Sequence, residues 1–138
     1  MTGNLLIKKV KGQSLDTFVV ALSDVIGCDR WEQRESSNYV EDRYFRCFVL
    51  GLEITASIAD SSEFPEYDFS LWFEPAASYS VEKAFVDGLV DCAARQFALN
   101  GYVTLRPHSD RKGSGGTTYR PSPAQGVAPR ERILIEEI

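Results

Sequence analysis

Three runs of this chain alternate their side chains with a period of two, and that period limits the fold more than any other feature. They cover residues 43–50, 52–60 and 67–74. Successive side chains of an extended strand point to opposite faces, so such runs predict strands with one apolar and one polar side. In the second run Leu52, Ile54, Ala56 and Ile58 share a face, with Glu53, Thr55, Ser57 and Ala59 opposite. In the third, Tyr67, Phe69, Leu71 and Phe73 stand against Asp68, Ser70, Trp72 and Glu74. A parallel sheet buried on both sides would read as continuous apolar runs. The alternation instead predicts an antiparallel meander with a core face and a wet face.

The rest of the chain supplies the layer that covers the core face. Residues 5–10 predict a first strand, placed near an edge by Lys8 and Lys9. A helix follows: Ser14 caps it, Asp16 complements its positive end, Leu15, Phe18, Val19, Leu22, Val25 and Ile26 recur at helical spacing, and Gly27 closes it. Residues 29–35 predict a charged second strand, 36–38 a turn or a bent strand, and Gly51 a tight hairpin in preference to a bulge between two of the alternating runs. Residues 61–66 connect to the next strand. A second helix spans 80–99, with Val81, Phe85, Leu89, Cys92, Ala93, Gln96 and Phe97 inward, a stripe widened by Val86 and Val90. Strands over 102–106 and 132–135 complete the pattern, and the Gly-, Ser- and Pro-rich segment 107–129 reads as a flexible loop. The expectation is a single domain over 1–138, an α+β two-layer sandwich in the order β-α-β-β-β-β-α-β-β. Its sheet is mostly antiparallel, with about six to seven strands and two helices on one face. A chain of 138 residues buries a core of that kind without disulfides or metal.

Charge is unevenly distributed. Residues 29–91 carry fourteen Asp or Glu against five Lys or Arg, a balance of −9, while residues 106–132 carry six bases against two acids, or +4. An acidic centre repels phosphate backbones and attracts basic protein surfaces, which disfavours direct nucleic-acid binding and favours a basic protein partner. No apolar run is long enough to span a bilayer, and the first residues lack a basic, apolar and small-residue leader pattern, so a cytoplasmic location without membrane attachment is expected. Cys28, Cys47 and Cys92 are widely spaced, which predicts reduced thiols and neither a disulfide framework nor a zinc site.

No catalytic signature appears. His108 is the single histidine and has no cysteine or second histidine near it in sequence. The glycines around Lys112 lack the order of a phosphate-binding loop, so no cofactor is expected. Acidic residues Glu41, Asp42, Asp60, Glu63, Glu66 and Asp68 have no metal-ligand spacing, and a solvated face explains them better than hydrolytic chemistry. Together with the aromatic Trp72 they make a candidate partner-binding surface, since aromatics bury large areas at little entropic cost and carboxylates pair with Lys and Arg. Trp31, Tyr39 and Tyr44 extend that surface, unless Trp31 and Tyr44 pack in the core or under the loop.

The stretch WEQRESSNYVEDRYF, residues 31–45, with its pattern W-x-x-R-x-S-S-N-Y followed by an aromatic strand, resembles immunity proteins of contact-dependent growth inhibition and related bacterial toxin systems. The resemblance implies a small cytosolic protein, not an enzyme, that binds and neutralises a cognate toxin domain, commonly a nuclease. It transfers no individual contact residue. A chaperone for a secreted effector is the alternative within the binding class, and a small enzyme is the third reading.

Overall fold

The structure, a computed structural model, describes residues 3–109, 113–122 and 132–138. Their elements run β1 (Gly3–Ile7), α1 (Leu15–Ile26), β2 (Glu32–Glu35), a 3₁₀ turn (Val40–Asp42), β3 (Arg43–Val49), β4 (Leu52–Ile58), β5 (Phe69–Pro75), α2 (Lys83–Leu99), β6 (Thr104–Pro107), β7 (Gly116–Pro121) and β8 (Ile133–Glu137). The strands form one antiparallel sheet of eight in the order β2-β3-β4-β5-β1-β6-β7-β8. Both helices pack on one face of it. The architecture is therefore the expected α+β sandwich, with eight strands instead of six or seven.

Local chemistry accounts for most boundaries. The Ser14 hydroxyl accepts from Thr17 N at 3.3 Å while Thr17 Oγ1 accepts from Ser14 N at 2.8 Å, a reciprocal cap on α1. Gly27 ends that helix at φ 74°, in the left-handed region that glycine enters freely. Leu50 and Gly51, at φ 51° and 75°, make the two-residue turn joining β3 to β4, where Val49 pairs with Leu52. The core lies between sheet and helices: Leu5, Ile7, Leu52, Ile54, Ala56, Phe69, Leu71 and Phe73 from strands meet Phe18, Leu22, Val86, Val90 and Phe97 from helices. Phe18 stacks on Phe69 at 4.3 Å between ring centres. Among the described residues no helix is long and apolar enough to cross a membrane.

Four expectations are corrected. First, β1 sits inside the sheet, between β5 and β6, and not near an edge. Its lysines lie beyond the strand, where Lys8 N donates to Val103 O and Lys9 N to the Asp68 carboxylate. Second, the segment 107–129 is not all loop. Pro107 ends β6, and Gly116–Pro121 forms β7, whose Tyr119 is buried and donates its hydroxyl to Asp91 Oδ1 at 2.7 Å. Residues 110–112 and 123–129 of that expectation lie outside the described residues. Third, the buried stripe of α2 is Val86, Val90, Ala93, Ala94, Phe97 and Ala98; Phe85, Cys92 and Gln96, expected inside, are exposed. Small alanines let the helix lie close to the strands along that line. Finally, the wet face is not uniformly wet: Leu6 and Leu105 on it are buried beneath Phe64 and Tyr67 of the β4–β5 connection, so Tyr67, expected on the core face with Phe69, precedes the strand and lies on the other side.

Candidate interaction surface

Strand register builds the helix-free face row by row. Arg46 of β3, Thr55 of β4, Trp72 of β5 and Asn4 of β1 lie side by side across four strands, and Phe48, Glu53 and Glu74 form the next row. Ser57, Ser70 and Leu6 form a third. Neither α1 nor α2 packs on these residues; Thr55, Ser57 and Leu6 are buried among their neighbours, and Trp72 is half-buried at their centre.

The electrostatics of this patch are unbalanced at one point. Glu53 and Glu74 face one another directly across β4 and β5, a like-charge arrangement that opposes strand pairing. Partial burial first, and then the Glu53 carboxyl beside it, hold the Glu74 carboxyl above its ordinary range; the indole of Trp72 works in the opposite direction. Arg46 serves Glu53 at 3.6 Å, but it also binds Glu32 at 3.1 Å and lies 5.3 Å over the Phe48 ring. One guanidinium is thus divided among two carboxylates and a ring, and Glu74 is the carboxylate it does not reach with an ion pair.

Two connections flank the patch. Residues 36–42 fold back so that Tyr39 stacks on Tyr44 at 4.5 Å, with Ser36 N donating to Asp42 O at 3.0 Å. Burial, followed by the neighbouring Tyr44 hydroxyl, raises the Tyr39 phenol. On the other side residues 59–68 carry Phe64 and Tyr67 down onto Leu6 and Leu105.

The residues singled out from sequence fall into three places. Glu41 and Asp42 form the left-handed 3₁₀ turn, at φ 61° and 56°, beside the β2–β3 edge; Glu41 is tied to Arg43 at 3.0 Å, and Arg43 in turn to Asp16 of α1 at 2.8 Å. Asp60, Glu63, Glu66 and Asp68 lie along the β4–β5 connection. Two of them secure it: Asp68 accepts from Lys9 N and Glu63 from Gly113 N, each at 2.9 Å. Asp60 and Glu66 are exposed. Trp72 stands between these groups on β5. Trp31, whose place was open, packs against the core and donates its indole N–H to Cys28 O at 2.8 Å.

Sequence reasoning passed over Glu53 and Glu74 because their opposition depends on register. It also passed over an apolar end of the molecule, where Leu50 and Tyr79 are 69% and 64% exposed beside Phe85 around the β3–β4 turn. The signal was present in β3, since Phe48 falls on the polar side of the alternation with Tyr44 and Arg46.

A polar cleft of about 410 Å³ opens where β1 and β6 part, lined by Asn4, Trp72, Lys83, Asp87, Arg106 and His108 among others. Its charges compensate one another: Asp87 binds Lys83 at 2.7 Å and Arg106 at 3.1 Å, which holds its carboxyl below the ordinary range. His108 Nε2 meets both Thr117 Oγ1, at 3.2 Å, and Glu137, while Nδ1 faces Ser114 O. A relay would need the hydroxyl and the carboxylate on opposite ring nitrogens. With both on one nitrogen, the contact joins β8 to the β6–β7 hairpin. Among the described residues no three His, Cys, Asp or Glu side chains converge as a metal site requires. Comparison with known proteins returns no match, whether with family models, curated proteins or solved structures.

Proposed function

We propose that this chain is a binding protein of the immunity type, which holds a basic bacterial toxin domain, a nuclease by preference, on the uncovered half of its sheet and neutralises it by association. The observation that carries the reading is Trp72, half-buried on a helix-free face beside the opposed carboxylates Glu53 and Glu74. An arginine or lysine from a partner would relieve the repulsion between those two groups, and the indole would supply the apolar area that anchors an interface. The surplus of acids along residues 29–91 attracts such a partner, giving association that is fast at low salt and slower as ionic strength rises. The resemblance of residues 31–45 to immunity proteins selects a toxin among basic partners.

Coexpression with the product of the neighbouring gene tests the reading. A stable complex that suppresses the toxicity of that product supports it, and Trp72→Ala should disrupt that complex while leaving the fold intact. Failure of the two chains to associate, or a complex indifferent to Trp72→Ala and to Glu53→Lys with Glu74→Lys, overturns it.

A further inference from the structure

The two outer strands of the sheet treat their unpaired backbone differently. An edge strand offers a row of N–H and C=O groups to any extended chain, and folded proteins guard that row with charge, proline or bulges. β2 is guarded. Its four residues, Glu32 to Glu35, are all polar and exposed, and Arg34 and Arg46 bind Glu32 at 3.0 and 3.1 Å. β8 carries charge only in its second half, Glu136 and Glu137; its first half is Ile133, Leu134, Ile135, with Leu134 43% and Ile135 38% exposed.

The ladder decides which groups of β8 face outward. Ser122 N donates to Arg132 O and Ile138 N to Gly116 O, and Leu134 and Glu136 stand opposite Arg120 and Thr118 in the same register. Even-numbered residues therefore bond to β7. In an antiparallel ladder the residues between them, Ile133 and Ile135, turn both backbone groups to the free edge.

We propose that β8 is a pairing edge through which two copies of this chain join antiparallel, with Leu134 on the two-fold axis. An axis perpendicular to the sheet keeps side chains on their own faces and matches residue i of one copy with its mirror position in the other. Centred on Leu134, it sets Leu134 against Leu134, Ile133 against Ile135, and Arg132 against Glu136. The sequence Arg-Ile-Leu-Ile-Glu is chemically self-complementary in that register. Ile133 and Ile135 then form the hydrogen-bonded pairs, using the groups that β7 leaves free, and Leu134 forms the close non-bonded pair between them. Moving the axis to Ile135 would set Leu134 against Glu136 and Ile133 against Glu137, apolar against charged each time. The matched stretch is the five residues 132–136, short enough for the dimer to be reversible.

Sedimentation velocity of the full chain over a concentration series tests the proposal. A monomer–dimer equilibrium is expected. Ile135→Pro removes an outward donor without touching the ladder to β7 and should leave the chain monomeric. Arg132→Glu alone, or Glu136→Arg alone, sets like charges together twice in each dimer and should raise the dissociation constant about tenfold. The double exchange restores the pair and should restore the dimer. Circular dichroism establishes that each variant is folded. A chain that is monomeric at every concentration overturns the proposal, as does a dimer that survives Ile135→Pro or that the double exchange fails to restore.

Discussion

The helix-free face of the sheet has two halves, and the chain treats them differently. Over β1 and β6 the outward side chains Leu6 and Leu105 are apolar, and the β4–β5 connection brings Phe64 and Tyr67 down to bury them. Over β3, β4 and β5 the outward side chains are Arg46, Phe48, Glu53, Thr55, Trp72 and Glu74; there the turn over residues 36–42 brings Tyr39 onto Tyr44, and Trp72 stays half-buried. The same short connection borders both halves. Exposure of Trp72 thus does not follow from a lack of chain within reach. It follows from a row of polar neighbours that offers a cover little hydrophobic gain and leaves the indole to an outside partner.

Substitutions across the sheet should separate the two halves by size of effect. The reference is Leu71→Ala, on the helix side of β5 and fully buried, which should cost about 2–5 kcal/mol by leaving a cavity in the main core. Urea denaturation with an unchanged midpoint would show that the strand faces are reversed. On the covered half, Phe64→Ala should cost roughly 2–3 kcal/mol, less than a full core truncation, because the second cluster is small and its cover can settle. If that variant were as stable as the parent, the cover would be ornamental and the contrast between halves would fail. On the other half, Trp72→Ala should cost about 1–2 kcal/mol in the free chain, since part of the ring is open to solvent, while weakening the toxin complex at least about tenfold. Calorimetric titration beside thermal melting resolves the two effects, and a large stability loss with unchanged affinity would make Trp72 a core residue.

The smallest effect concerns Glu74. Its carboxyl titrates above its unfolded range, so the proton is bound more tightly in the folded state, and the ionised group destabilises. That penalty is absent below the unfolded value, appears as pH rises through the folded one, and is fully present at neutral pH. Glu74→Gln should accordingly raise the melting temperature slightly at pH 7 and leave it unchanged near pH 4. A gain that is equal at both pH values would assign the effect to something other than charge.

How much of this was legible in the sequence depends on the range of the interaction concerned. The faces of β4 and β5 could be read because a period of two is set within the strand itself, and Leu52, Ile54, Phe69, Leu71 and Phe73 all lie inward as expected. The cap on α1 could be read for the same reason. β7 could not. Its Thr117, Thr118 and Tyr119 have strand character, but they lie among glycine, serine and proline, and their order comes from β6, β8 and the distant Asp91. The acids Glu41, Asp42, Asp60, Glu63, Glu66 and Asp68 were visible as charge. Their division between a sheet edge and a connection, and the use of Asp68 and Glu63 as backbone anchors, are tertiary facts. The opposition of Glu53 to Glu74 required the β4–β5 register, which is established across the connection over residues 59–68.

The place of β1 governs the order in which the molecule can be assembled. β2 to β5 form one run of strands joined by short connections, and β6 to β8 form another, so each can organise locally. Within the sheet the two runs pair only through β1, whose Asn4 pairs with Trp72 and whose Leu6 pairs with Leu105, while α2 packs on strands of both. Closing those two spans costs loop entropy before the ladder contacts compensate it, so arrival of β1 is the expected slow event in refolding. Leu5→Ala should for that reason slow folding in a chevron analysis, whereas a truncation in β2 should chiefly speed unfolding. A strand of five residues, the first of the described chain, thus sets the clock for all eight.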